Sequence, residues 1–314
     1  MDIVRFNPDK DLTSLEYYLR NSYLEERRAR SWLPARLHDV IYRVGAQEMD
    51  EGRERSADYM FLWKKEGDIT ACILPDGENI YISVKTGCED LFPSVVKFGE
   101  KNCLPLFTQT GKGSVKFWVA VNDSFRYMHQ ILSESGYGRY TDVETASCML
   151  PMKTDPVVKV PEGFRLMYGE EYTDEANKWG ALRLGFHPEW ESADYRAPMG
   201  PYNARKKSSF YNDCFECIIS DANAKEKNDI CAYCFVYVDT VTGTALIEPV
   251  STRERYRHKG LGTAMLNAAV MRCRKIGIGK CYVNSFGWRK DFYGAAGFIP
   301  EETVSFWYKT LNCS

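Results

Sequence analysis

One stretch of the second half constrains this chain more than any other, because it predicts a strand, a sharp basic turn and a helix in immediate succession. Residues 248–263 read EPVSTRERYRHKGLGT, with Gly260 and Gly262 at the junction of turn and helix. In such a junction the free N–H groups and the positive helix end point at one spot, where an anion binds. We therefore predict a phosphate-binding turn. The alternative is that the two glycines only connect strand and helix.

The common phosphate fingerprints do not fit this turn. The chain has no G-x-x-x-x-G-K-S/T, and Gly262 is followed three residues later by Met265 rather than by the last glycine of a G-x-G-x-x-G motif. Nucleotide hydrolysis and dinucleotide redox chemistry are therefore disfavoured. With 41 Lys and Arg against 43 Asp and Glu, no basic field exists to hold a nucleic-acid backbone. We expect no nucleic-acid partner.

The arrangement Arg257-x-x-Gly260-x-Gly262 after a Val-containing strand resembles the acyl-CoA diphosphate signature of the GNAT superfamily of N-acetyltransferases. Residues 292–298, FYGAAGF, also resemble the closing Y-x-x-x-G-F segment of that superfamily. These specific matches cover about residues 248–298, and the order of predicted elements fits from Phe164 onward. The resemblance implies an α/β fold of two GNAT-like domains, each a mixed, splayed central sheet flanked by helices.

The resemblance also implies where acetyl-CoA would bind. The strand end would pair with the pantetheine arm as a neighbouring strand does, and the turn would wrap the diphosphate. Asn284 would contact the cofactor arm, because Phe286 stands where many members carry an asparagine. The cofactor-binding residues implied are Val250, Ser251, Thr252, Arg257, His258, Lys259, Gly260, Leu261, Gly262, Thr263 and Asn284.

Two further residues are candidates for catalysis, Tyr293 by analogy with the family and Glu248 because the acceptor ammonium must lose a proton. Tyr293 stands where the family places a general acid, and a phenol with an ordinary pKa of about 10 is protonated at neutral pH. Its alternative role is that of a core aromatic. Glu248, two residues before Val250 on the strand, is a candidate base for the amine, and pairing with a nearby arginine is an equal alternative.

A proline-containing stretch at residues 151–163 divides the chain almost in half and predicts a linker. We place a degenerate GNAT-like domain at residues 1–152 and the catalytic domain at 160–314. A faint internal repeat supports this division, since Val121-Asn122 precedes Gly136-Tyr137 much as Val283-Asn284 precedes Gly297-Phe298. Leu132 then aligns with Tyr293, and the first half lacks the R-x-x-G-x-G turn, so we expect it to bind no cofactor.

The cysteines raise the question of a metal site. Cys214 and Cys217, then Cys231 and Cys234, have nearly the spacing of a zinc ribbon. Neither pair has a Gly or Pro beside it, and both lie in strand-like sequence where residues three apart face opposite sides. We expect buried, reduced thiols and no metal.

These observations favour an acyl-CoA-dependent N-acetyltransferase that acetylates a primary amine of a small molecule or peptide by direct attack. A non-catalytic acyl-CoA-binding regulator is the first alternative, and a tRNA-dependent aminoacyl transferase is the second. The aromatic-rich residues 186–211 would bind the amine or form only a surface loop. No apolar run is long enough to span a membrane. We expect a cytoplasmic protein, monomeric or homodimeric, without a membrane partner.

Overall fold

The computed structural model describes residues 1–107, 109–111, 113–149, 155–192, 195–224, 229–286 and 289–312. The chain divides into two compact units. Unit 1 comprises Met1–Ala146 together with Glu301–Ser314, and unit 2 comprises Ser147–Pro300.

Unit 1 begins with a short strand and an amphipathic helix that buries Leu15 and Leu19. A π-helical turn at Asp39–Val44 lies between two short helices, Pro34–His38 and Gly45–Asp50. The elements are β1 (Asp2–Arg5), α1 (Pro8–Glu26), α2 (Pro34–His38), α3 (Gly45–Asp50), β2 (Phe61–Lys65), β3 (Asp68–Asp76), β4 (Asn79–Val84), α4 (Phe92–Asn102), β5 (Gln109–Gly111), β6 (Ser114–Asn122), α5 (Arg126–Glu134) and β7 (Gly138–Met149).

Unit 2 carries the predicted strand, turn and helix. Its elements are β8 (Phe164–Tyr168), α6 (Glu175–Phe186), α7 (Gly200–Arg205), β9 (Cys217–Asp221), β10 (Asp229–Asp239), β11 (Thr244–Thr252), α8 (Leu261–Lys275), β12 (Lys280–Phe286) and α9 (Lys290–Ala295). A final strand, β13 (Ile299–Asn312), follows. The sheet of unit 2 has the order β12-β11-β10-β9-β8, and α8 packs on one face of it in an apolar cluster with Ile219, Val236 and Val283.

The last strand belongs to unit 1, whereas the predicted boundary gave residues 160–314 to the second domain. Its residues Val304–Asn312 pair antiparallel with Asn122–Ser114 of β6, so that unit 1 has the sheet order β1-β2-β3-β4-β6-β13. Trp307 on this strand is buried in the core of unit 1, and its indole N–H donates to Nδ1 of His129 at 2.9 Å. The continuous ladder and the buried indole explain why the strand joins unit 1.

Both units contain one short parallel strand pair. In unit 2, Thr244–Leu246 of β11 pair with Lys280–Tyr282 of β12, after which the described ladder between these strands ends. In unit 1, Asn79–Tyr81 of β4 pair in the same way with Trp118–Ala120 of β6. Each unit therefore contains a central pair of strands that separates after three residues, as the predicted splayed sheets require.

The two units also close their last helix alike. In unit 2 the Phe298 N–H donates to the carbonyl of Tyr293 at 3.1 Å around Gly297, whose φ is +88°. In unit 1 the Tyr137 N–H donates to the carbonyl of Leu132 at 3.0 Å around Gly136, whose φ is +81°. Leu132 therefore occupies in unit 1 the position that Tyr293 occupies in unit 2, and its side chain is fully buried among apolar residues.

A fully buried carboxylate joins the elements on the α6 face of unit 2. Glu216 accepts a hydrogen bond from Lys178 Nζ at 2.6 Å and another from Arg205, and Tyr202 and Tyr211 direct their hydroxyls to the same carboxylate. Burial raises the pKa of Glu216, but the charges of Arg205 and Lys178 outweigh burial and hold that pKa below its ordinary value. One carboxylate thus links α6, α7 and the segment before β9.

We expect Glu216→Gln to lower the free energy of unfolding by about 3–5 kcal/mol, because it leaves two buried cations without a counter-charge. Glu175→Gln is the matched control, since Glu175 pairs with Lys206 on the surface and its loss should cost less than about 1 kcal/mol. Urea-unfolding curves of unit 2 within the full protein measure the change in the free energy of unfolding for both variants. The wild-type advantage over Glu216→Gln is present above the ordinary glutamate pKa of about 4.3 and should shrink as pH falls through the lower folded-state pKa. Equal stability of the two variants would contradict the assigned role.

We expect Trp307→Ala to weaken unit 1, by about 3–5 kcal/mol, because it empties a buried indole site. Hydrogen exchange would locate the effect. Amides of β6 should lose protection, while amides of β9 and β10 serve as the internal reference and stay protected. Loss of protection in β9 and β10 instead would place the last strand with unit 2.

Candidate functional site

A pocket of about 610 Å³ lies in unit 2 where β11 leaves β12. It brings together the end of β11, the turn, the start of α8 and the side of α9. Of the predicted residues, Val250, Ser251, Thr252, Arg257, His258, Gly260, Leu261, Gly262, Thr263 and Tyr293 line it. The structure therefore gathers most of the predicted cofactor set and the candidate acid around one cavity.

The turn has the backbone shape of an anion site. His258 and Gly260 both have positive φ angles, +60° and +78°, and left-handed residues of this kind occur in the backbone N–H concavities that bind anions. Gly260 precedes α8 without a side-chain cap, which leaves the first N–H groups of the helix unsatisfied by a capping side chain. No atom lies within 4 Å of a Cβ built on Gly260, so its need for glycine is conformational rather than steric.

The edge of β11 supplies the second part of the site. Because the described ladder with β12 ends at Leu246, the backbone of β11 from Ile247 to Thr252 has no strand partner on that side. The Ser251 hydroxyl lines the pocket and is buried without a hydrogen-bond partner among the described residues. A ligand with amide groups can pair with such an edge.

A bulge lies directly beside this edge. Ile247 pairs with Val236 and Val250 pairs with Cys234, so Glu248 and Pro249 stand opposite the single residue Phe235. Bulges of this kind re-aim side chains near active sites. Glu248 is half-buried and does not line the pocket, but its charge reaches Tyr293 and contributes to the pKa of that residue.

Tyr293 is 6% exposed and packs edge-on against Phe292, with ring centroids 4.9 Å apart. Burial, with a smaller contribution from the Glu248 carboxylate, raises the pKa of Tyr293 to about 12. The phenol is thus fully protonated at neutral pH. It is also a weaker acid than free tyrosine, which bears on its role below.

Two glycines allow close approach around the pocket. A Cβ on Gly185 of α6 would lie 2.5 Å from the Cβ and Oγ of Ser251 on β11. A Cβ on Gly262 would lie 2.7 Å from the Phe292 ring on α9. Gly262 is therefore required for packing α8 against α9, in addition to the role in anion binding that the sequence predicted.

Three predicted residues stand differently from the expectation. Lys259 does not line the pocket, and its ammonium lies 5.3 Å from the Tyr256 ring centroid and 5.7 Å from that of Phe164. Asn284 is half-buried on β12 and does not line the pocket either. Arg257 lines the pocket, but its guanidinium donates to two backbone carbonyls, from Nη2 to Gly185 at 2.8 Å and from Nε to Thr252 at 3.2 Å.

Phe186, from the aromatic stretch predicted to bind the amine, also lines the pocket, and sequence reasoning missed the residues that complete it, which are Gly185, Tyr256, Arg289 and Phe292. Phe292 directly precedes Tyr293 in the closing segment that resembles the family, so its position in the sequence could have indicated that it lies at the site. The others come from α6, the turn and the start of α9, and only the three-dimensional fold brings them to β11.

The aromatic stretch after α6 does not form a single binding surface. Tyr202 and Phe210 are buried core residues. Trp190 stacks on His187 with ring centroids 3.8 Å apart and also contacts the Arg183 guanidinium, 5.0 Å from its ring centroid, so its ring is engaged within the protein. Phe186 is exposed and lines the pocket. Asp194 lies outside the described residues.

The cysteines lie mainly in the core of unit 2. Cys217, Cys231 and Cys234 are buried in the cluster under α8, and Cys214 packs against it. Cys231 and Cys234 share this face because a register shift falls between Ile230 and Ala232. Within the described ranges, no three His, Cys, Asp or Glu side chains are grouped so that they could hold a metal ion. None of the helices in these ranges is long and apolar enough to cross a membrane.

Residues 180–298 match the model of the acetyltransferase (GNAT) family. No curated protein matches the chain. The matched range begins within α6 and ends at Phe298, so it contains the whole pocket.

Solved structures resemble the chain over nearly its full length. A GCN5-related N-acetyltransferase from Sphaerobacter thermophilus is 14% identical, with 90% of this chain and 95% of that chain covered and a TM-score of 0.61. A tandem GNAT protein from the clavulanic acid biosynthesis pathway is 14% identical, with 100% of this chain and 98% of that chain covered and a TM-score of 0.59. A GNAT-family acetyltransferase from Colwellia psychrerythraea is 12% identical, with 98% of this chain and 100% of that chain covered and a TM-score of 0.55. The predicted fold class is thereby confirmed: the chain as a whole has the fold of tandem GNAT proteins, and residues 180–298 of its second half match the GNAT family model.

Proposed function

We propose that unit 2 is an acetyl-CoA-dependent N-acetyltransferase that acetylates a primary amine of a small molecule or peptide. The observation that carries this proposal is the convergence of three features on one pocket: the turn with positive φ angles, the open edge of β11 and the buried phenol of Tyr293. We further propose that unit 1 binds no acetyl-CoA, because Leu132 replaces the phenol there and no residue of the first half supplies the Gly-bearing turn.

The residues present fit acetyl-CoA part by part. The N–H groups from His258 to Thr263 would hold the diphosphate, and the edge from Val250 to Thr252 would pair with the amides of the pantetheine arm. Ser251 offers a buried hydroxyl without a partner among the described residues. When bound, acetyl-CoA supplies an acetyl group activated as a thioester. These roles follow from the positions of the chain's own residues.

Tyr293 would hold its proton toward the leaving sulfur. An ordinary thiol has a pKa of about 8.5, so a phenol of pKa about 12 does not transfer its proton fully to a thiolate unless the sulfur becomes more basic in the pocket. Donating a hydrogen bond to the developing thiolate requires no such transfer. We therefore assign Tyr293 as a hydrogen-bond donor, a narrower role than that of the general acid predicted from sequence.

Glu248 would receive the proton that the acceptor ammonium must lose. Glu248 lies in the bulge of β11 opposite Phe235, two residues before Val250. Its charge is close enough to Tyr293 to raise the pKa of that phenol. A carboxylate in this position also favours a cationic amine over a neutral ligand. If Glu248 instead pairs with an arginine, the acceptor ammonium would lose its proton to water molecules in the pocket.

A thiol-release assay with a panel of primary amines tests the proposed function directly. We expect acetyl-CoA to raise the melting temperature of the protein, since it binds the folded state, and at least one amine class to release CoA. A melting shift without thiol release for any amine would identify a non-catalytic acyl-CoA-binding protein. Absence of both would overturn the proposal.

Two glycines of the same helix give a matched pair for the cofactor site. Gly185→Ala should reduce or abolish the acetyl-CoA melting shift, because its Cβ would lie 2.5 Å from Ser251 and displace the edge of β11. Gly180→Ala should keep the full shift and add about 0.5–1 kcal/mol of stability, because a Cβ on Gly180 has nothing within 4 Å and alanine favours the helix. Equal ligand responses in the two variants would show that the α6 contact with β11 does not shape the site.

Tyr293→Phe should keep acetyl-CoA affinity, since the ring still packs, and lower kcat roughly 10- to 100-fold, the effect of losing about 1.5–3 kcal/mol from a hydrogen bond to a charged group. Steady-state kinetics with an amine for which chemistry limits the rate would measure this. A loss of a thousandfold or more would indicate full proton transfer by a general acid. Unchanged kcat would make Tyr293 a core residue only.

A further inference from the structure

The arginines of the turn between β11 and α8 are directed at the segment around the end of α6. Arg253 donates to the Glu191 carboxylate at 2.6 Å, and Arg255 pairs with the same carboxylate at 3.1 Å. Arg257 donates to the carbonyl of Gly185 in the last turn of α6. Arg257, which the family resemblance assigned to the diphosphate, and the two neighbouring arginines are thus all engaged with protein groups.

We propose that Arg257 is a positioning residue that fixes the end of α6 to the cofactor strand, and that it does not act as a phosphate ligand. The proposal rests on unit 2 being the acetyl-CoA site. Its two donated bonds, to Gly185 on α6 and to Thr252 at the end of β11, join the two walls of the pocket through one planar guanidinium.

The chemistry of these contacts favours arginine specifically. The last carbonyls of a helix lack backbone partners, and a cation at that end also interacts favourably with the helix dipole. The fork of an arginine reaches two carbonyls at once, whereas the single ammonium of a lysine cannot reproduce that fork. The guanidinium therefore satisfies one orphan carbonyl of α6 while holding the strand end in place.

The close contact beneath this bridge shows why position matters. Gly185 has no room for a Cβ against Ser251, so α6 and β11 meet backbone to backbone where the edge of β11 faces the pocket. Phe186, the next residue, is exposed at the pocket rim. Releasing the end of α6 would therefore alter the wall that receives the pantetheine arm.

A first experiment uses the ligand-free protein and hydrogen exchange. Arg257→Gln should raise the exchange rates of amides in the last turn of α6 and at the end of β11. Arg255→Gln is the matched control: it removes an equal charge from the same turn, does not line the pocket and should leave those amides unchanged. Unchanged exchange in Arg257→Gln would overturn the proposal, whether or not the protein proves to bind acetyl-CoA.

A second experiment compares acetyl-CoA with acetyl-pantetheine, which lacks the phosphates. Arg257→Gln and Arg257→Lys should both weaken binding of the two ligands by the same factor, roughly tenfold, as judged from ligand-dependent melting shifts. A phosphate ligand predicts otherwise: the weakening would be confined to acetyl-CoA, and lysine would restore most of it. That pattern would overturn the proposal while leaving the proposed function intact. Absence of acetyl-CoA binding in the wild type would instead overturn the proposed function.

Discussion

The site of this protein depends on a parallel ladder of only three residue pairs. Where β11 and β12 part after Leu246, the fold leaves strand backbone uncovered inside a sheet that otherwise pairs its strands in the usual way. An unpaired edge is normally a liability that proteins cover or charge. Here the uncovered backbone lines a pocket, with the turn that contains His258 and Gly260 at its end and the phenol of Tyr293 at its side. The separation of two strands therefore turns a structural weakness into a binding surface.

The walls of that pocket are held by charged side chains, of which Glu216, Lys178 and Arg205 are buried and Arg257 is exposed. Glu216 fixes α6 and α7 to the sheet through Lys178 and Arg205, while Arg257 fixes the other end of α6 to the strand that lines the pocket. Buried ion pairs seldom add net stability compared with apolar packing, but removing one partner is costly. Their effect here is positional, because each bond specifies where one helix end must lie.

Sequence alone could predict what depends on local chemistry. The turn from Arg257 to Thr263 was predictable because its two glycines and the start of the following helix are adjacent in sequence. His258 and Gly260 have the positive φ angles that a sharp turn requires. The direction of the Arg257 side chain was not predictable, since its partner Gly185 lies 72 positions away and offers only a carbonyl. Gly185 and Arg289 were missed for the same reason. The closure around Gly136 matched that around Gly297, because both turns need a positive φ that glycine supplies. The placement of the last strand could not be foreseen, because strand partners far apart in sequence leave no local pattern.

That last strand has a consequence for how the molecule is made. Ser305 of β13 hydrogen-bonds to Asp123 just beyond the end of β6, across 182 positions of the chain. A ribosome adds about 5–20 residues per second, so β6 waits on the order of ten to forty seconds for its neighbour. Throughout that time all of unit 2 is synthesised while the sheet of unit 1 keeps an open edge. The sheet of unit 1 is therefore completed only after all of unit 2 has been synthesised, and a chain that stops at Pro300 contains every residue of unit 2 but lacks the paired part of β13 in unit 1.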